Sequence, residues 1–119
     1  MKIALGHLVL SRTKISNGGV KQLEDLPKLE RLVLDGTAID DAALPSIAKH
    51  KRLEWLSIEN TKVSDQSIKE FAKMENLKVL QICGTKITRE GENAIRKLLP
   101  KVTISSDNTC SNECQLGEP

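Results

Sequence analysis

Aromatic residues are almost missing from this chain of 119: it has one Trp, one Phe and no Tyr. Large single cores usually recruit rings, so a core here has to be tiled from Leu, Ile and Val in thin layers. An excess of one charge is also lacking, since 18 Lys and Arg stand against 16 Asp and Glu, mixed as in "KQLEDLPKLER" and "KEFAKMENLK". A net charge of +2 with no basic block leaves nucleic acid without an electrostatic footprint. No apolar run approaches the roughly 20 residues of a membrane span, and "MKIALGHLVL" is too short and too soon interrupted for a signal peptide. The expectation is a cytoplasmic protein with neither a membrane nor a nucleic-acid partner.

Cysteine is scarce and odd in number, with Cys83, Cys110 and Cys114, which argues against a disulfide framework. A structural metal site needs four convergent ligands, and Cys110 and Cys114 have neither a second pair nor a nearby His. They read as ordinary thiols, with a local or intermolecular disulfide as the alternative. Phosphate loops, calcium loops, DNA-reading helices and RNA-stacking platforms are absent too. No metal and no cofactor are expected.

What the chain does have is a period. Thr occurs at 13, 37, 61, 85 and 109, always 24 apart. Leu8, Leu32, Leu56, Leu80 and Ile104 share one column of the same register; Leu10, Leu34, Ile58 and Ile82 share another. Further columns hold Leu5, Leu29, Leu53 and Leu77, then Ile15, Ile39, Val63 and Ile87, then Leu23, Ile47, Phe71 and Ile95. A tandem repeat of this length predicts a solenoid whose units bury their apolar faces against neighbours.

Inside each unit the pattern changes. Arg31-Leu32-Val33-Leu34 and Trp55-Leu56-Ser57-Ile58 alternate, as a strand with one buried face does. Val20, Leu23 and Leu26, or Ile68, Phe71 and Met74, stand three apart and predict the inward stripe of a short helix. Between them lies a bend: Gly36, Asn60, Gly84 and Asn108 tolerate left-handed dihedrals there. Ser16, Asp40, Ser64 and Thr88 fall where a short oxygen side chain caps a helix. Gly19, Ala43, Ser67 and Gly91, three residues on, are all small, as close packing selects. The column Thr13, Thr37, Thr61, Thr85 and Thr109 is expected to be structural, its hydroxyls bonded to loop backbone, since no His or acid recurs beside it.

The stretches "LERLVLDGTAIDDAALPSIAKHKRL" and "LKVLQICGTKITREGENAIRKLLP" resemble leucine-rich repeats of the form L-x-x-L-x-L-x-x-T-x-[IV]-[TSD]-x-x-[GA]. This is a short bacterial, planctomycete-like type with Thr in place of the usual Asn, and the likeness runs over about residues 5 to 106. The resemblance implies an α/β solenoid with a parallel sheet on its concave face and helices on its convex face. It implies a protein or peptide ligand held on the concave face. Residues 1–107 then make the repeat domain, about four full repeats and a closing strand, and 108–119 a polar flexible tail. Leu5, Leu8 and Leu10 begin with no polar cap before them, so the N-terminal edge is either covered by a further segment or partner, or tolerated as an open edge.

With even-numbered strand residues inside, the odd ones write out the concave face: His7, Val9 and Ser11; Arg31, Val33 and Asp35; Trp55, Ser57 and Glu59; Val79, Gln81 and Cys83; Thr103, Ser105 and Asp107. The lone Trp55 lies at the centre and reads as a binding anchor, against the plainer reading of a ring shielding the sheet beside Val33 and Val79. Catalysis finds no support, because His7 and Cys83 stand three strand spacings apart, about 14 Å, on an open surface. His50 is expected to be a half-buried packing residue. A non-enzymatic binding module is the leading expectation; the alternative is a scaffold or subunit of a larger assembly with contacts through the solenoid ends.

Overall fold

Five short strands follow from the alternating columns. In the computed structural model, which describes residues 6–25 and 28–105, they are β1 (His7–Val9), β2 (Arg31–Val33), β3 (Trp55–Ser57), β4 (Val79–Gln81) and β5 (Thr103–Ser105). They form one parallel sheet in sequence order. The register is the sequence period itself: Leu8 pairs with Leu32, Leu32 with Leu56, Leu56 with Leu80 and Leu80 with Ile104. Pairing outruns the strands at both ends. The Arg31 amide donates to the Gly6 carbonyl at 2.9 Å, and the Asn60 amide to the Cys83 carbonyl at 2.9 Å.

The backbone returns across the other face through α1 (Asn17–Gln22), α2 (Leu44–Ile47), α3 (Ile68–Phe71) and α4 (Arg89–Leu98). A unit of this length must hold a strand, a bend and a return, so the middle helices shrink to one turn. Three-ten turns at Asp41–Ala43 and Asp65–Ser67 lead into α2 and α3, while α1 runs out through one at Leu23–Asp25. Pro45 sits in the first turn of α2, where its missing amide costs no helix bond. Between the layers lie Leu32, Leu34, Leu56, Ile58, Leu80 and Ile82 from the sheet side and Val20, Leu44, Ile47, Phe71 and Ile95 from the helical side, all buried. Leu23 and Ile68, which the spacing put on the inward stripe, are only half-buried. His50, expected to be half-buried, is enclosed. The N-terminal unit is looser, with Leu8, Leu10 and Ile15 half-buried where Leu32, Leu34 and Ile39 are sealed.

Each bend is built from the repeated turn residues. Thr13, Thr37, Thr61 and Thr85 each donate their hydroxyl to the carbonyl three residues back, at 2.8, 2.7, 2.7 and 2.7 Å. The hydroxyl thereby satisfies a carbonyl that the end of the strand would otherwise leave open. Thr109 and Asn108 lie outside the described residues, as do Leu5, Leu26, Asp107, Cys110, Cys114 and the expected tail. The left-handed position of the bend is held by Gly36 (φ 67°), Asn60 (φ 59°) and Gly84 (φ 75°), and also by Arg12 (φ 60°), which residue type did not foretell. At Gly84 a Cβ would land on the side-chain oxygen of Asn60 in the preceding repeat, so glycine is required there for space as well as for dihedral.

Three of the four expected helix caps form. Asp40, Ser64 and Thr88 accept from the amides of Ala42, Gln66 and Gly91 at 2.9, 3.3 and 3.1 Å. Ser16, in the N-terminal unit, makes no side-chain capping bond. The residue after each of the first three cap positions does something the motif had not signalled: it reaches forward to the cap of the next repeat. Asn17 donates to the Asp40 carboxylate at 2.8 Å and accepts the Asp40 amide at 3.1 Å. Asp41 accepts from the Ser64 amide at 2.8 Å and from the Ser64 and Ser67 hydroxyls at 2.5 Å each. Asp65 accepts from the Thr88 amide and hydroxyl at 2.9 and 2.6 Å. Two members of the small-residue column now have a specific cause. A Cβ on Gly91 would collide with the Asp65 carboxylate, and Ser67 instead turns its hydroxyl onto Asp41.

Candidate functional site

The odd-numbered strand residues form rows across the sheet. The first row runs His7, Arg31, Trp55, Val79 and Thr103 in direct register, and the second Val9, Val33, Ser57, Gln81 and Ser105. Alternation holds for most of them: His7 and Val9 are exposed, and Arg31, Val33, Trp55, Val79 and Gln81 half-buried. Two expectations fail. Ser57 is fully buried, because its short side chain drops between Val33 and Gln81 and donates to Asp35 Oδ1 at 2.5 Å. Cys83 is fully buried too. The strand ends at Gln81, so the in-and-out alternation that put Cys83 on the rim no longer governs it, and a thiol behaves as a small hydrophobe.

The row just beyond the strands, with Ser11, Asp35, Glu59 and Cys83, is therefore partly spent on the fold. Asp35 Oδ1 also accepts the Glu59 amide at 2.8 Å, which ties the carboxylate to the next repeat. Asp35 and Glu59, half-buried, line a shallow hollow with Ser11, Arg12, Gly36 and Asn60 at the C-terminal ends of the strands.

Around Trp55 the structure brings together residues that sequence reasoning named and residues it missed. The Arg31 guanidinium lies over the indole, 3.9 Å from its centroid. Such a cation–π contact is worth about 0.5–1 kcal/mol where water reaches it, and it fixes the orientation of a long side chain. A shallow depression of about 200 Å³ opens beside the pair, lined by His7, Glu30, Arg31, Glu54, Trp55, Lys78 and Val79. Glu30, Glu54 and Lys78 share one column just before the strands, where period-two counting assigns no outward side chain. That all three are ionisable, two acids and a base, was the available signal. Lys78 pairs with Glu54 across the repeat at 3.6 Å, a surface contact of small net worth.

This face offers contact area and little chemistry. His7 on β1 and the enclosed Cys83 after β4 are three strands apart and form no dyad. Among the described residues, no group of three His, Cys, Asp or Glu side chains is placed to hold a metal ion. A wider hollow of about 870 Å³ on the helical side includes Asp41, Pro45, Asp65, Ile68 and the half-exposed Leu98. Its two aspartates are already committed to the inter-repeat bonds. No helix of the described residues is long and apolar enough to cross a membrane.

A single in-register parallel sheet with a helical return between every pair of strands defines an α/β leucine-rich-repeat solenoid. Solved structures share the fold. Actin-binding site 2 of leiomodin-1 superposes with a TM-score of 0.65 at 15% identity, covering 85% of this chain and 69% of that one. A leucine-rich-repeat protein of Leptospira interrogans gives a TM-score of 0.57 at 28% identity over 84% of this chain. This chain spans 31% of the length of the Leptospira protein. The sequence matches no protein-family model and no curated protein.

Proposed function

We propose that this protein is a non-enzymatic protein- or peptide-binding module that uses the sheet face around Trp55. The observation that carries the reading is the pair itself: the sole Trp of the protein stands mid-row on an open sheet with an Arg oriented over it. Trp and Arg are the residue types over-represented among binding hot spots. An open row of strands gives area without enclosure, which suits a macromolecular partner better than a small substrate. The name of the leiomodin-1 neighbour, an actin-binding site, supports protein binding as the use of such a scaffold. The columns with Thr13, Thr37, Thr61 and Thr85 support assignment to the short bacterial type of repeat.

Random peptides displayed on phage and selected on the wild-type protein test the proposal. Selected peptides are expected to lose tenfold or more in affinity for Trp55→Ala, with the variant's circular dichroism and melting cooperativity unchanged. Undiminished binding to a folded Trp55→Ala variant would remove the sheet face from consideration.

A second reading, association through the solenoid end, is favoured by β1. Val9 is 62% exposed, and Leu8 and Leu10 are sealed less well than their equivalents in later repeats. Sedimentation of the protein over a hundredfold concentration range is expected to show a mass that rises with concentration. A constant monomer mass would discard this reading and leave the first intact.

A further inference from the structure

Four charged side chains surround the depression beside Trp55, and they are not equivalent. Glu54 and Lys78 face one another at 3.6 Å. Glu30 is exposed at the rim and forms no ion pair with its neighbour Arg31. Among the described residues, the guanidinium of Arg31 has the indole beneath it and no carboxylate paired with it. A guanidinium carries five donors in a rigid fork suited to two acceptor oxygens, and here the indole has already restricted its rotation. Beside it, half-buried Trp55 and Val79 offer an apolar shelf.

Resting on the sheet-face reading above, we infer that the partner presents a carboxylate next to an apolar side chain. The carboxylate takes two outward N–H groups of Arg31, and the apolar group packs on Trp55 and Val79. An Asp or Glu side chain and the free α-carboxylate that ends a peptide share this chemistry, and the test separates them.

Peptides selected on the wild-type protein are resynthesised in three forms: unmodified, with the terminal α-carboxylate amidated, and with each Asp or Glu replaced by its amide. One of the two neutralisations is expected to weaken binding to the wild-type protein by about tenfold or more, as loss of a charge-assisted bidentate contact does. The same change is expected to matter less than twofold on Arg31→Gln. Arg31→Lys, which keeps the charge and loses the fork, should recover only part of the affinity. Circular dichroism on both Arg31 variants controls for folding. If binding depends on Trp55 yet neither neutralisation shifts it by more than twofold, the carboxylate inference is overturned and the sheet-face reading stands. If no selected peptide depends on Trp55, the underlying reading falls and this inference with it.

Discussion

Leu56→Ala is expected to remove about 3 kcal/mol of stability, and Leu8→Ala, in the same column, markedly less. Leu56 is completely buried on the central strand, paired in register with Leu32 and Leu80 on either side. Truncation there loses the transfer free energy of the side chain and leaves a cavity that two flanking repeats cannot both collapse into, which puts the cost within the range of about 2–5 kcal/mol. For a domain with a total stability of about 5–15 kcal/mol the loss is severe. Leu8 is half-buried on β1, which among the described strands pairs with β2 alone. Urea unfolding of both variants, followed by circular dichroism, measures the difference, with the denaturant slope unchanged if the native fold persists. Equal losses at the two positions would mean that the β1 repeat is packed as tightly as the central one.

Asp41→Ala is expected to cost about 2–3 kcal/mol although the carboxylate is only half-buried. Three donors from the next repeat converge on it, and the change strands the Ser64 amide and two hydroxyls at once. Burial pushes the Asp41 carboxyl up, but hydrogen bonds from the Ser64 and Ser67 hydroxyls and the Ser64 amide outweigh it and hold the carboxyl below its ordinary value of 3.8. A lowered native pKa means that the stability contributed is fully present above the unfolded-state value and is lost as pH falls through the native one. Wild type should therefore lose stability below about pH 4 more steeply than Asp41→Asn, whose amide does not titrate. Urea melts at a series of pH values between neutrality and acid read this directly. Parallel decline of the two proteins would assign the acid sensitivity elsewhere.

The fold was legible because a repeat shows each instruction several times. Leu32, Leu56 and Leu80 could be aligned without any other sequence, and their columns are the observed sheet register. The Thr bonds and most of the caps were legible for the same reason, since chemistry confined to one bend depends only on local spacing. Contacts between repeats were harder. Asp41 and Asp65 carry no mark of their own in the repeat, and nothing in a linear pattern says that a carboxylate reaches a hydroxyl 23 residues further on.

The candidate site was half legible. Alternation placed Trp55 and Arg31 on one face, but strands of three residues carry the rule only a short way, and it failed at Cys83 beyond the end of β4. Ser57 failed for a different reason, because a polar residue of small volume can be buried when a neighbouring acid accepts its hydrogen. Glu30, Glu54 and Lys78 escaped notice because they precede the strands, where the backbone has not yet begun to alternate.

The Asp-to-hydroxyl rungs also bear on how the array melts. Each rung has its acceptor in one repeat and its donors in the next, so its free energy belongs to the junction and vanishes when either side opens. In a one-dimensional description this enlarges the nearest-neighbour coupling relative to the intrinsic stability of a unit. Strong coupling and weak units make the boundary between ordered and frayed repeats expensive wherever a rung must break. That cost favours an array that opens all together over one that peels away repeat by repeat.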